Sequence, residues 1–274
     1  MGSEQPEAVA ADGEGPVRDV TVSAFRIDET AVTNRQFGRF VRETGYRTDA
    51  ERFGWSFVFA GYLTAASRPN LLQARVPGAP WWLAVEGVHW RTPTGTGSDL
   101  SRRDQHPVVH VSHHDALAYA AWAGRRLPTE AEWEFAARGG LEGARYAWGD
   151  ELTPGRRWRA NIFQGSFPRS DSGDDGFVGT APVKSFPPNG FGLYELSGNA
   201  WEWCSDWFSA TWHAGPSQAT RLDPAGPPDG SQRVIRGGSH LCHDSYCNRY
   251  RVSARTSNTP DSSTSNMGFR CVIR

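Results

Sequence analysis

Arg126-Leu-Pro-Thr-Glu-Ala-Glu-Trp-Glu134 is the stretch whose reading decides the fold. Pro128 interrupts whatever precedes it, because its ring crowds a helical residue at the position before. Thr129 with Glu132 then matches a capping box, in which the hydroxyl takes an N–H three residues on and the glutamate reaches back. The spacing predicts a helix through Trp133 and Phe135 to Gly139-Gly140, where glycine tolerates the helix-ending conformation. Just upstream, Ser112 and Asp115 make an approximate second box, and Ala116, Leu117, Tyr119, Ala120 and Ala123 continue a helix to Gly124. Val108-Val-His-Val111, in front of it, reads as a short strand.

Further out the pattern thins. Thr33 is placed to cap a helix carrying Phe37, Phe40 and Val41 on one face, with Gly45 as its stop. Val20-Thr-Val-Ser-Ala-Phe-Arg-Ile27 alternates well enough for a strand. Residues 1–18 are polar and expected to be mobile unless tied into a sheet. Residues 46–105 read as loop, and no helical period persists after 145. Neither an internal repeat nor a linker divides the chain. The expectation is one α+β domain over residues 1–274, irregular in its second half.

Composition narrows the function classes. The 274 residues carry a net charge of −1 without a basic cluster, which argues against nucleic acid as the partner. No apolar run reaches the ~18 residues of a membrane helix. The acidic, polar start Met1-Gly-Ser-Glu-Gln-Pro-Glu7 does not read as a signal peptide. The 30 Gly, 18 Pro and 12 Trp suit a loop-rich domain filled by bulky aromatics. With four cysteines, too few for a disulfide scaffold, the expectation is a soluble cytoplasmic protein whose thiols start out reduced.

Two of those cysteines lie in Arg236-Gly-Gly-Ser-His-Leu-Cys-His-Asp-Ser-Tyr-Cys-Asn-Arg-Tyr-Arg251. A thiol pair at this spacing suits a structural disulfide, a zinc site completed by residues such as His240 and His243, a thiol–disulfide relay, or Cu(I) held by soft sulfurs. Spacing alone leaves all four open. His106, His110, His113 and His114 form a second cluster of possible metal ligands. They fall on a loop, a strand and a helix cap, which points instead to local hydrogen bonds.

The wider segment, with Ala254-Arg, Asn258-Thr-Pro-Asp-Ser-Ser263 and Asn266-Met-Gly-Phe-Arg-Cys271, resembles the bacterial formylglycine-generating enzymes of the sulfatase-modifying-factor family. The likeness continues upstream through Pro107-Val-Val-His-Val-Ser112, the Arg126–Glu134 run, Asn189-Gly-Phe-Gly-Leu-Tyr194 and Gly198-Asn-Ala-Trp-Glu-Trp203. It implies a single irregular, loop-rich domain of the formylglycine-generating enzyme / C-type-lectin-like type, with few helices and short strands. It also implies an activity: oxidation by O2 of a cysteine, within Cys-x-Pro-x-Arg of a still-unfolded sulfatase, to Cα-formylglycine. By the resemblance, Cys242 and Cys247 hold Cu(I), the substrate thiolate joins as a third sulfur, and Ser239, Tyr246 and Trp201 line the pocket. Ordinary packing is the competing role for Trp201 and Tyr246. An external thiol is the implied reductant, and a monomer is expected.

The family pattern also places structural Ca2+ at positions matching Asn161, Ile162, Asp175 and Phe177, and at a second set matching Glu195, Gly198, Ala200 and Glu202. Glu195 stands where the pattern has asparagine. The competing reading of Ser170-Asp-Ser-Gly-Asp-Asp-Gly176 is a solvated turn. Secreted relatives carry disulfides to helix positions that are alanine here, within Tyr119-Ala-Ala-Trp-Ala123 and Glu134-Phe-Ala-Ala137, so Cys204 and Cys271 are expected as buried free thiols. Met1-Gly2 resembles the tail of the strand with which the family opens, so that first strand is expected to be missing. Two alternatives remain: an iron-dependent sulfoxide synthase of the same superfamily, whose extra helical domain has no counterpart here, and a calcium-stabilised peptide-binding module without catalysis.

Overall fold

The computed structural model describes residues 1–215 and 217–273, without the side chains of residues 73–75. Four helices begin at hydroxyl caps: α1 (Asn34–Thr44) at Thr33, α2 (Asp49–Phe53) at Thr48, α3 (His113–Trp122) at Ser112 and α4 (Glu130–Arg138) at Thr129. Each cap forms the full reciprocal box, with Gln36, Glu51, Asp115 and Glu132 reaching back. Gly45, Gly54 and Gly139 end α1, α2 and α4 in the left-handed conformation. Here the local reading and the structure agree, because a cap needs only residues three apart.

The strands are short. They are β1 (Arg26–Ile27), β2 (Trp55–Phe59), β3 (Leu71–Arg75), β4 (Trp82–Glu86), β5 (Gly165–Ser166), β6 (Ser170–Asp171), β7 (Trp201–Trp207), β8 (Arg233–Arg236), β9 (Arg255–Asn258), β10 (Met267–Gly268) and β11 (Val272–Ile273). The central sheet runs β10-β7-β8-β9; β10 is parallel to β7 and the other pairs are antiparallel. A second sheet, β2-β4-β3, is antiparallel throughout. Aromatic rings fill the space between α1, α3 and the chain end: Phe37 meets Trp90, Tyr119 and Phe269 at centroid distances of 5.3, 6.0 and 6.4 Å. The architecture is α+β, with few helices and short strands.

Three expectations are corrected. Residues 46–105 are not simply loop: they hold α2 and the three-stranded sheet, whose strands gain their stability from pairing with each other. Val108–Val111 is not a strand, because His110 turns left-handed at φ 59°. Its imidazole is buried between Ser56 Oγ, 2.8 Å from Nδ1, and the Pro93 carbonyl, 2.8 Å from Nε2. Of Val20–Ile27 only Arg26–Ile27 is strand, because its partner β11 is equally short.

Residues 1–18, expected to be mobile, lie against the body of the protein. The Gly2 N–H donates to Glu134 Oε1 (2.8 Å), Asp12 pairs with Arg249, and Glu14 is buried against Arg251. Buried arginines recur in the framework: Arg236 bridges Glu130 and Glu134 of α4, and Arg270 grips Glu202 on β7. Each charge is buried with its counter-charge, and backbone carbonyls accept further N–H groups of both guanidiniums, although Arg236 Nε is left without a partner.

Candidate active site

The loop that leaves β8 begins at Gly237-Gly238. Gly238 sits at φ 70°, and a Cβ there would press within 3.0 Å of the Tyr250 backbone, so the close return of the loop on itself requires glycine. Two tight turns follow. The Cys242 N–H donates to the Ser239 carbonyl (2.9 Å) and the Cys247 N–H to the His243 carbonyl (2.7 Å). These turns reverse the chain between the cysteines and bring their sulfurs into hydrogen-bonding contact, both as buried free thiols.

The pair faces a cleft of about 450 Å³. Trp201, Ile235 and Met267 line it from the central sheet, and Ser239, Tyr246 and Arg249 from the cysteine loop itself. Every pocket residue named from the sequence therefore converges: Cys242, Cys247, Ser239, Tyr246 and Trp201. Trp201 is both packed in the core and open to the cleft. Tyr246 is 43 % exposed and stacks on Phe167 (4.8 Å, 5°), with Trp81 edge-on at 4.5 Å.

The two sulfurs are electrically unequal. Burial pushes the Cys242 thiol well up, and its neighbour Cys247 adds to this. Cys247 is lowered instead, first by the hydrogen bond from Cys242 and further by Arg249, whose backbone N–H and guanidinium both reach it. Of the two, Cys247 is therefore the sulfur whose surroundings favour the thiolate form, with Cys242 as its donor. The Ser239 hydroxyl also bonds Cys242 and is oriented by Asn266 Nδ2 at 2.9 Å.

Sequence reading missed Trp81, Phe167, Arg249 and Asn266 as site residues. Arg249 and Asn266 stand inside quoted motifs, where their neighbours were the available signal. Trp81 and Phe167 lie in segments read as loop, and nothing local marks them.

Chemistry narrows what this cleft accepts. Its lining has two thiols but no Asp, Glu or His, a donor set suited to a soft monovalent ion. Zinc would need further ligands, and neither His240 nor His243 is among the residues lining the cleft. Among the described residues, no group of three or more His, Cys, Asp or Glu side chains could hold a metal. The other histidines have separate partners: His106 meets Thr180, His114 meets Asp49, and His113 packs edge-on to Trp203. Cys204 and Cys271 are buried free thiols away from the cleft lining.

The first calcium set gathers around one loop. The Asp175 carboxylate accepts from the N–H groups of Ile162 (3.0 Å) and Phe177 (2.9 Å). It also accepts from Gln164 Nε2 (2.8 Å), which bonds the Ile162 carbonyl as well. Two hard oxygens thus converge on one donor. Asn161 Nδ2 is turned to the Gly179 carbonyl (2.9 Å) and Asn199 Oδ1 (3.2 Å). In the second set the carboxylates make separate bonds. Glu202 binds Arg270 and Trp133 Nε1, Glu195 takes the Lys184 N–H, and the Gly198 N–H meets the Gly237 carbonyl beside Ala200.

A family model, the sulfatase-modifying factor enzyme 1-like domain, matches residues 1–274. The chain belongs to this family. Within it, the chain is 63 % identical over 271 residues to a formylglycine-generating enzyme of Thermomonospora curvata, covering 99 % of this chain and 89 % of the relative. It is also 48 % identical to a Bos taurus protein named inactive Cα-formylglycine-generating enzyme 2, over 99 % of this chain and 83 % of the relative. The solved structure of PvdO from Pseudomonas aeruginosa superposes with a TM-score of 0.69 at 24 % identity, covering 99 % of this chain and 89 % of that one, a likeness of fold alone. Since the family includes a member named inactive, membership leaves the chemistry to be argued from the cysteine site.

Proposed function

We propose that this protein is a formylglycine-generating enzyme that oxidises a cysteine in a Cys-x-Pro-x-Arg stretch of an unfolded sulfatase with O2. One observation carries the reading: Cys242 and Cys247 adjoin as free thiols in a cleft with soft donors and aromatic walls. The 63 % identity to a relative of that name supports it.

A cysteine Cβ–H is too weakly acidic for a general base at neutral pH, so an oxygen-activating group is required. Cu(I), which Cys242 and Cys247 suit, supplies that chemistry when bound there. In the overall balance the substrate thiol, O2, two electrons and two protons give the aldehyde, hydrogen sulfide and water. An external thiol reductant furnishes the electrons. The protein's own residues prepare the place. Ser239 and Arg249 each donate toward one sulfur and fix its direction. Trp201, Ile235 and Met267 give the substrate thiol an apolar surround, and the Trp81–Phe167–Tyr246 wall excludes water from one side. The open cleft suits an extended peptide better than a folded domain.

We further assign structural Ca2+ to the Asn161, Ile162, Asp175 and Phe177 set, on the convergence of the Ile162 and Asp175 oxygens. The protein is read as a monomer working in a reducing compartment such as the cytoplasm, consistent with its four free thiols.

The test is mass spectrometry of a peptide containing Cys-x-Pro-x-Arg after incubation with copper-loaded protein, O2 and thiol. Loss of the sulfur mass with gain of an aldehyde is expected. An unchanged peptide, together with no Cu(I) uptake, would favour the peptide-binding module instead.

A further inference from the structure

Arg18 is buried to 8 % exposure, yet among the described residues it is the buried arginine without a carboxylate in ion-pair reach. Arg236, Arg251, Arg255 and Arg270 each have one. The Arg18 Nη2 meets the Met1 sulfur at 3.2 Å and its Nη1 the Pro16 carbonyl at 3.5 Å, while Nε has no partner. A thioether is a weak acceptor, and neither contact brings negative charge. A buried charge is strongly unfavourable unless something neutralises it.

The neighbouring carboxylates are already engaged. Glu130 gives both oxygens to Arg255 (2.6 and 2.7 Å) and one of them also to Arg236 (3.1 Å). Glu134 is shared by Arg236 and Arg138. Even with Asp206 ionised, the four guanidiniums of Arg18, Arg138, Arg236 and Arg255 outnumber the three carboxylates around them. The cluster carries positive charge in excess.

Arg18 also lines a small cavity, together with Met1, Glu130, Asp206, His213 and Arg255. Its volume of about 10 Å³ is room for one water-sized species and excludes phosphate or an organic acid. The His213 imidazole in its wall is held below its ordinary value, by burial first and then by the Arg18 and Arg255 charges, which marks that wall as electropositive. Asp206 Oδ2 accepts from the Glu130 N–H (2.8 Å) and the Ser205 hydroxyl (3.2 Å), and burial pushes its carboxyl up to about 7. In the acid form it donates to an anion and does not repel it.

We propose that this cavity binds one small monoatomic anion, of the chloride class, as counter-ion to the Arg18 guanidinium. The ion stabilises the fold where the N-terminal segment meets α4 and β7. It does not touch the cysteine cleft, whose lining shares no residue with this cavity.

The experiment measures the melting temperature of the parent protein and of Arg18→Met in sodium chloride and in sodium gluconate at equal ionic strength. Gluconate is too large for the cavity, so chloride is expected to raise the melting temperature of the parent by about 3 °C. Arg18→Met, which keeps the length of the side chain without its charge, is expected to melt alike in both salts. Crystals of the parent soaked in bromide are expected to show an anomalous peak against the Arg18 guanidinium, and they decide the matter alone if the variant does not fold. No chloride response in the parent, an equal response in Arg18→Met, or a bromide soak without anomalous signal at that position, as a water would give, would each overturn the proposal.

Discussion

Glu14 and Arg251, 237 positions apart in the chain, meet in a buried two-point ion pair, with Nη1–Oε2 at 2.5 Å and Nη2–Oε1 at 2.7 Å. Their side chains are 0 % and 1 % exposed, so neither charge has water as a substitute partner. This contact ties the N-terminal segment to the loop that follows the second cysteine.

Removing one partner strands the other. Glu14→Ala is expected to destabilise the protein by about 3–5 kcal/mol, the cost of an uncompensated buried charge. Urea unfolding measures it. A loss below about 1 kcal/mol would mean that the segment is dispensable to the fold.

Asp206 sets an alkaline limb of stability. Burial pushes its carboxyl up to about 7 from an ordinary value of 3.8, and Glu130 nearby raises it further. The folded protein therefore binds this proton more tightly than the unfolded chain. The stabilisation is complete below about pH 3.8 and is lost as pH rises through 7. At about 1.4 kcal/mol per unit, the loss from pH 5 to 8 is roughly 3 kcal/mol. Asp206→Asn keeps an oxygen for the Glu130 N–H and is expected to flatten the melting-temperature profile over that range. A parallel profile for parent and variant would count against it.

Glu134 works in the opposite direction. Burial would raise its carboxyl, but Arg236 and Arg138 overcome that and hold it down to about 2. Its stabilisation is present above about pH 4.5 and is lost as pH falls toward 2. Acid unfolding of Glu134→Gln is expected to show a shallower pH dependence below 4.5 than the parent.

Both cysteines of the loop are needed for the proposed chemistry. Cys242→Ser and Cys247→Ser each leave a single soft sulfur, and each is expected to lose Cu(I) uptake in a chelator competition and all aldehyde formation. Circular dichroism is expected to stay that of the parent. Full activity in either variant would refute the paired role.

Calcium is tested by chelation. With free Ca2+ a hundredfold above its Kd, binding contributes about 2.7 kcal/mol, so EDTA is expected to lower the melting temperature by several degrees. Asp175→Asn removes a charge from the oxygen cluster and is expected to abolish that difference. A melting temperature indifferent to EDTA would sink the assignment.

Helix starts at Thr33, Ser112 and Thr129 were determined by the sequence, because a capping box is closed by residues three apart. The cysteine pair was legible too, but its spacing left a disulfide, zinc, a thiol relay and Cu(I) all open. The tertiary structure alone decided that residues 55–86 form a sheet, that His110 turns left-handed and that Phe167 and Trp81 wall the cleft. It alone decided, too, that Asp12 reaches Arg249. These features depend on partners brought together from distant parts of the chain, and a side chain's local sequence carries no record of which distant group will satisfy it.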